Sequence, residues 1–322
     1  MVVVERADIR DALSEGFQQA TAEKVHRLLG ILREVQAVQA TMGQFTLNGG
    51  TALNVFHWPK TPRLSVDLDL MATGFPHASP GSAERGKAVT LLEGIAERLG
   101  YRVRKEPADA GCTIWMSYRN TLGAPDQVKI DLDFLNRMTI MPPTSMVGPV
   151  LFHADDLRFP VVADEELMGQ KLAAVAYRAA PRDLFDMYLM IMANWQSKLR
   201  SRQSYLAYSF LEDQEWYRLD YPVRLEVAYR PDQLEDVLRS TIHAPTLERI
   251  REVARDGLEK RGLPFTHASP EEQSLREKLL SGDKSAFAAI AGESDGTRAK
   301  HLEEHPGLAW RLHQAARAPK GR

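Results

Sequence analysis

The sequence predicts an α/β (α+β) domain built on a mixed sheet over residues 1–163, followed by a mostly helical domain over residues 164–322. Between residues 45 and 135, short runs alternate apolar and polar side chains, the signature of half-buried strands. Amphipathic helical stretches precede and interrupt those runs. Beyond residue 164 helical periodicity with Pro and Gly punctuation takes over, and strand signal is scarce.

Taken in order, Ile9, Leu13 and Phe17, then Val25, Leu28, Leu29, Leu32 and Val35, recur at helical spacing and predict two amphipathic helices. Phe45-Thr46-Leu47 reads as a short strand, Asn48-Gly49-Gly50-Thr51 as a turn, and Ala52 to Phe56 as the start of a helix. The prolines of His57-Trp58-Pro59-Lys60-Thr61-Pro62 stop that helix. Leu64 to Leu70 alternates with period two, as a strand does. Ser82 to Leu99 is a capped helix with Val89, Leu92, Ile95 and Leu99 on one face and Gly100 as its stop. Tyr101–Lys105, Thr113–Arg119 and Gln127–Leu135 read as three further strands. Asp164 is the expected N-cap of a helix with Glu165 and Glu166 in its first turn, running to about Arg178. Pro181 fits the first position of the next helix, whose apolar face is Leu184, Met187, Tyr188 and Ile191.

A chain of 322 residues with 44% hydrophobic and 26% charged side chains can bury its own core. Its formal charge of -2 excludes a disordered tail or a uniformly basic nucleic-acid coat, so any polyanion is met by a local patch. One cysteine, Cys112, excludes an internal disulfide framework and a zinc site on paired cysteines, and it reads as a small buried hydrophobe. The apolar Met1-Val2-Val3-Val4 turns at once to Glu5, Arg6, Asp8 and Arg10, which is not the order of a signal peptide, and no stretch is apolar for long enough to span a membrane. The expected setting is cytoplasmic.

In Asp67-Leu68-Asp69 the carboxylates are two apart on a strand and share one face, with Leu64, Val66, Leu68 and Leu70 anchoring the other. Neighbouring anions repel unless a cation lies between them, and hard oxygen ligands favour Mg2+ or Mn2+. Lys129-Ile130-Asp131-Leu132-Asp133-Phe134 repeats the pattern. If its strand pairs beside the first, Asp131 completes a three-carboxylate metal site with Asp67 and Asp69. Asp133, the alternative third ligand, is expected further along and facing solvent. Gly49 and Gly50 lack a Cβ and let a phosphate approach the backbone, where the N–H groups opening the next helix face the anion and Thr51 adds a hydroxyl donor.

These residues resemble a known family. Leu47-Asn48-Gly49-Gly50-Thr51-Ala52-Leu53 followed by Arg63-Leu64-Ser65-Val66-Asp67-Leu68-Asp69-Leu70 resembles the first motif of the DNA polymerase beta-like nucleotidyltransferases. The run Glu166 to Ala174, with Lys171, followed by Arg178 and Pro181-Arg182-Asp183-Leu184-Phe185-Asp186-Met187-Tyr188, is similar to the AbiEii/AbiGii-toxin-like branch, which includes the MenT toxins. The likeness spans about residues 40 to 195. A spacer of fifteen residues, Ala52 to Val66, separates the Gly50-Thr51 pair from Asp67, longer than is usual in the family, while Arg63 and Ser65 match its Arg-x-Ser-x-Asp pattern.

The resemblance implies a metal-dependent enzyme that moves an NMP group from an NTP to a macromolecular hydroxyl, with the tRNA 3′ end as acceptor in the MenT branch. It implies the toxin of a toxin–antitoxin or phage-defence pair, with an antitoxin protein as partner. Asp67, Asp69 and Asp131 would hold the metals. Gly49, Gly50, Thr51, Arg63, Ser65, Lys171, Arg178 and Arg182 would bind the nucleotide, and Asp183 or Asp186 would orient Lys171 and the arginines or assist the acceptor hydroxyl. Asp186 is the one placed at the site, and Asp183 at the helix N-terminus. Spacing on its own lets Lys171 and Arg178 share a helix face and Arg182 pair with Asp186. Residues 171–202 carry six basic side chains, Lys171, Arg178, Arg182, Lys198, Arg200 and Arg202, against two acidic ones, a patch suited to a triphosphate or an RNA end. Two rival readings stand beside the toxin: a catalytically silent nucleotide-binding module, and a transferase acting on a small-molecule or protein hydroxyl. His301, His305 and His313 read as an exposed histidine face, and Met187, Met190 and Met192 as core fillers.

Overall fold

The computed structural model describes residues 4–42, 44–58, 60–195, 199–212, 214–230, 233–234, 236–240, 244–260, 266–292 and 296–317. Of the sequence features above, Met1 to Val3, Pro59, Lys198 and the last five residues lie outside the described residues. The chain divides into two compact units, Met1–Val162 with Glu235–Ile242, and Ala163–Leu234 with His243–Arg322.

The first unit is a seven-stranded mixed sheet ordered β3-β4-β5-β2-β1-β7-β6. Its strands are β1 (Thr46–Asn48), β2 (Asp67–Met71), β3 (Arg102–Pro107), β4 (Gly111–Arg119), β5 (Pro125–Asp133), β6 (Thr144–Val147) and β7 (Arg158–Val161). A short helix α1 (Arg10–Ser14) leads into α2 (Gln19–Met42), which packs with α4 (Ala83–Arg98) on one sheet face. Beneath them lie Ile114, Met116, Val128, Ile130, Leu132 and Leu68, all nearly inaccessible to solvent. Alternation therefore leaves the partners of those residues, among them Asp67, Asp69, Lys129, Asp131 and Trp115, on the opposite face.

The structure corrects several expectations. Gly49–Thr51, read as a turn, is the helical turn α3, which runs on as a π-helix over Ala52–His57. The strand expected from Leu64 starts at Asp67, because Leu64 N donates to Val237 O and Arg63 bridges to Leu238, so this backbone pairs with the returning segment at 236–240 rather than with the sheet. β6 and β7 carry no period-two signal in the sequence: each is four residues long, and Pro160 sits in the second.

The second unit is helical: α5 (Asp164–Tyr177), α6 (Pro181–Met192), α7 (Leu199–Ser209), α8 (Tyr221–Ala228), α9 (Ala244–Lys260), α10 (Pro270–Leu280), α11 (Ser285–Ala291), α12 (Gly296–Glu304) and α13 (Pro306–Arg317). α5 lies against α7 so closely that a Cβ on Gly169 would sit 2.5 Å from Tyr205 N. The N-cap of α5 is Ala163, and Asp164 is its first helical residue. Met187 and Met190 fill the core of α6, but Met192 is exposed. His305 is buried between α12 and α13 rather than on an open histidine face, with Leu308 N donating to its Nδ1. Among the described residues no helix is long and apolar enough to cross a membrane.

Candidate active site

Parallel pairing of β2 with β5 sets Asp69 directly opposite Asp131 and Asp67 opposite Lys129. Antiparallel pairing of β1 with β2 sets Asn48 opposite Asp69. Cross-strand partners share a face, so Asn48, Asp69 and Asp131 form one row and Asp67 and Lys129 the next.

α3 closes onto this face from the β1 side. Gly49 has φ +68°, and a Cβ there would lie 1.8 Å from Asp69 Oδ2. Only glycine tolerates both that backbone and that approach. A Cβ on Gly50 would lie 2.6 Å from Ser65 Oγ and 3.1 Å from an Arg63 guanidinium nitrogen. Gly49, Gly50, Arg63, Ser65 and Asp69 are thus brought together around the opening of a helix, where backbone N–H groups favour an anion. Arg63 is almost wholly buried and donates to Leu64 O. Thr51 departs from its expected part: it is buried, and its hydroxyl donates to Asp67 O at 2.6 Å, fastening α3 to the carboxylate strand.

Asp131 and Asp133 depart from expectation too. Asp131 accepts from Lys129 Nζ at 2.5 Å and from Thr113 Oγ1 at 2.7 Å, and the same ammonium lies 3.7 Å from Asp67. Burial opposes the charge on Lys129, but the three carboxylates around it more than offset this and hold its pKa above the usual lysine range. Sequence reasoning misses Lys129, although its parity with Asp131 is legible. Asp133, expected in solvent, is half-buried; loss of hydration pushes its pKa up while the backbone and side-chain amides of Asn136 bond its carboxylate.

The donor chemistry of Asp67 and Asp69 suits a hard divalent cation, and the neighbouring ammonium marks the face as one that attracts positive charge. A three-carboxylate cage is not formed: among the described residues no three metal-competent side chains converge. Each oxygen of Asp131 accepts one of the bonds from Thr113 and Lys129 and keeps a further lone pair.

The motif of the second unit is a buried ion-pair cluster. Lys171 Nζ lies 2.8 Å from Asp186 Oδ2 and 3.4 Å from Asp183 Oδ1, and Arg178 forks onto Asp183 at 2.8 and 2.6 Å. Asp183 and Asp186 are at most 1% exposed. Asp186 therefore takes the ammonium of Lys171, and Arg182 is exposed on α6. Arg202 is paired with Glu272 at 2.6 Å, so three of the six cations of the expected patch, Lys171, Arg178 and Arg202, meet carboxylates of their own unit.

A glycine cradle at a helix N-terminus, set against a strand carrying paired carboxylates in a mixed sheet, defines a protein of the nucleotidyltransferase class. A family model described as nucleotidyl transferase AbiEii toxin of type IV toxin–antitoxin systems matches residues 31–287. The chain belongs to that family, and is an enzyme of the nucleotidyltransferase type. The nucleotidyltransferase toxin MenT4 of Mycobacterium tuberculosis H37Rv is similar in fold at 20% identity, with a TM-score of 0.59 over 89% of this chain and 99% of that one. No curated protein matches the chain.

Proposed function

We propose that the chain transfers an NMP group from an NTP to the terminal hydroxyl of an RNA, a tRNA 3′ end in the first place, and that it does so as a toxin held in check by an antitoxin protein. One observation carries the reading: the Gly49 cradle abuts the carboxylate of Asp69, which puts a phosphate-binding backbone within one residue of a cation-binding face. Phosphoryl transfer needs that juxtaposition.

The acceptor oxygen forms its bond to the α-phosphorus as the bond from that phosphorus to the bridging oxygen breaks; pyrophosphate leaves, and the hydroxyl proton passes to water. The Gly49–Gly50 N–H groups and Arg63 hold the leaving phosphates. Asp67 and Asp69 hold Mg2+ or Mn2+, which when bound supplies charge neutralisation for the transferring phosphate. In the second unit, Asp183 and Asp186 hold the motif cations Lys171 and Arg178 in place. Lys129, clasped by Asp67 and Asp131, favours the rival reading of a silent nucleotide-binding module, because it already occupies part of the cation's place.

Labelling decides between them. The protein is incubated with each α-labelled NTP, Mg2+ and separate RNA and protein pools, alongside RNA whose terminal diol has been oxidised with periodate. Label in intact RNA that is absent from oxidised RNA is the expected result. Label in protein alone would move the acceptor to another class, and label in neither would leave the silent module standing.

A further inference from the structure

Resting on the reading of an RNA acceptor, we infer that an unpaired RNA end lies along β5, β4 and β3, with one base stacked on Trp115 and the backbone met by Arg102, Arg104 and Lys129. In-line displacement requires the attacking hydroxyl to enter opposite the departing pyrophosphate. The glycine cradle lies on the β1 side of the carboxylates, so the acceptor arrives from the β5 side.

Register shows what it meets there. Asp67 pairs with Lys129, Lys129 with Trp115, and Trp115 with Arg104, a single row across four strands. Trp115 is two strand spacings from Asp67, about 10 Å, a distance that a terminal nucleotide or its neighbour can span. The next row outward, Arg102, Ser117 and Gln127, is exposed and offers one further cation and two hydrogen-bonding side chains.

Trp115 is set for stacking. Its indole N–H donates to Glu106 Oε2 at 2.9 Å, fixing the ring, while the Arg104 guanidinium lies 5.5 Å and Lys129 Nζ 5.8 Å from its centroid. Glu106, the acid on this stretch, is engaged by Arg104 as well as by the indole. A half-buried aromatic ring flanked by cations on a sheet surface is the chemistry that binds single-stranded RNA, through stacking and phosphate contact together. A protein segment as acceptor would need neither the ring nor the cations.

The test measures binding of a fluorescein-labelled single-stranded RNA and, separately, of NTP to the full chain. Trp115→Ala weakens RNA binding by about tenfold or more, the loss of one stacked base, and leaves NTP affinity within about twofold. Trp115→Phe, which keeps a π-face, restores most of the loss. Arg102→Glu, at an exposed position where folding is not in question, weakens RNA binding and lowers the salt-dependence slope by about 0.7 or more. Unchanged RNA affinity in both Trp115→Ala and Arg102→Glu overturns the path while leaving the RNA acceptor in place. NTP affinity falling in step with no loss of RNA affinity reassigns the ring to the nucleotide base and also overturns it. A wild-type chain that neither binds nor labels RNA removes the acceptor reading, and the path with it.

Discussion

Gly49→Ala puts the cradle to a numerical test. The new Cβ would lie 1.8 Å from Asp69 Oδ2, 2.5 Å from its Cγ and 2.9 Å from its Cβ, so the carboxylate must swing out of its row with Asn48 and Asp131. The backbone at φ +68° adds a left-handed penalty of about 1–2 kcal/mol, a fall in Tm of about 2–8 °C for a unit of this size. Displacing a preorganised group at the reacting phosphate lowers kcat by about a hundredfold or more. The expected signature is therefore a nearly inactive protein that is only modestly destabilised. Gly86→Ala is the control: it lies inside α4, a Cβ there would have no heavy atom within 4 Å, and the helix gains about 0.5–1 kcal/mol with activity unchanged. Transfer of label from an α-labelled NTP, followed with circular-dichroism melting, reads both quantities. Gly49→Ala retaining transfer within threefold of wild type would refute the argument that cradle and carboxylate are one site.

Three other outcomes follow from the structure. Lys171→Met strips the ammonium from buried Asp186 and is expected to lower stability by about 3–5 kcal/mol; adding Asp186→Leu recovers part of that Tm without recovering transfer, whereas recovery of neither would show that the cluster is not an ion-pair unit. Thr51→Ser keeps the bond to Asp67 O and with it near-normal activity, while Thr51→Val loses about 1 kcal/mol of stability; a Thr51→Val enzyme as stable as wild type but as inactive as a carboxylate variant would return the hydroxyl to the nucleotide. His26 has its pKa lowered from 6.5, chiefly by burial, so the folded state resists protonation that the unfolded chain accepts. Its stability contribution is complete above about pH 6.5 and is lost on acidification through the folded pKa, so His26→Gln should flatten the Tm decline below pH 6.5; an identical acid limb in the variant would contradict this.

Local pattern and tertiary pairing contribute differently to what can be read from the chain. The alternation in Asp67-Leu68-Asp69 and around Asp131 is visible in the sequence itself, because period two is a local property. That Asp69 stands opposite Asp131 depends on strand register, which no local pattern states. Lys129 is legible by parity, but the acids beside it draw the eye first. The return of residues 236–240 to pair with Arg63 and Leu64 is a contact between segments far apart in sequence, and it is what delays β2 until Asp67. In the second unit, i,i+4 spacing favours an Arg182–Asp186 pair on an isolated helix, a contribution of only a few tenths of a kcal/mol. Asp186 also meets Lys171 of α5, a pairing between helices that spacing along one helix does not state.

In the proposed function, Asp67 and Asp69, facing the Gly49–Gly50 cradle, carry nucleotidyl transfer to RNA. Its most direct measurement is the initial rate of label transfer from an α-labelled NTP to RNA by wild-type protein and by Asp69→Asn, at saturating Mg2+ and equal folded fraction. The account predicts transfer by the wild type and a loss of about a hundredfold or more in Asp69→Asn. Comparable rates in the two proteins would contradict it.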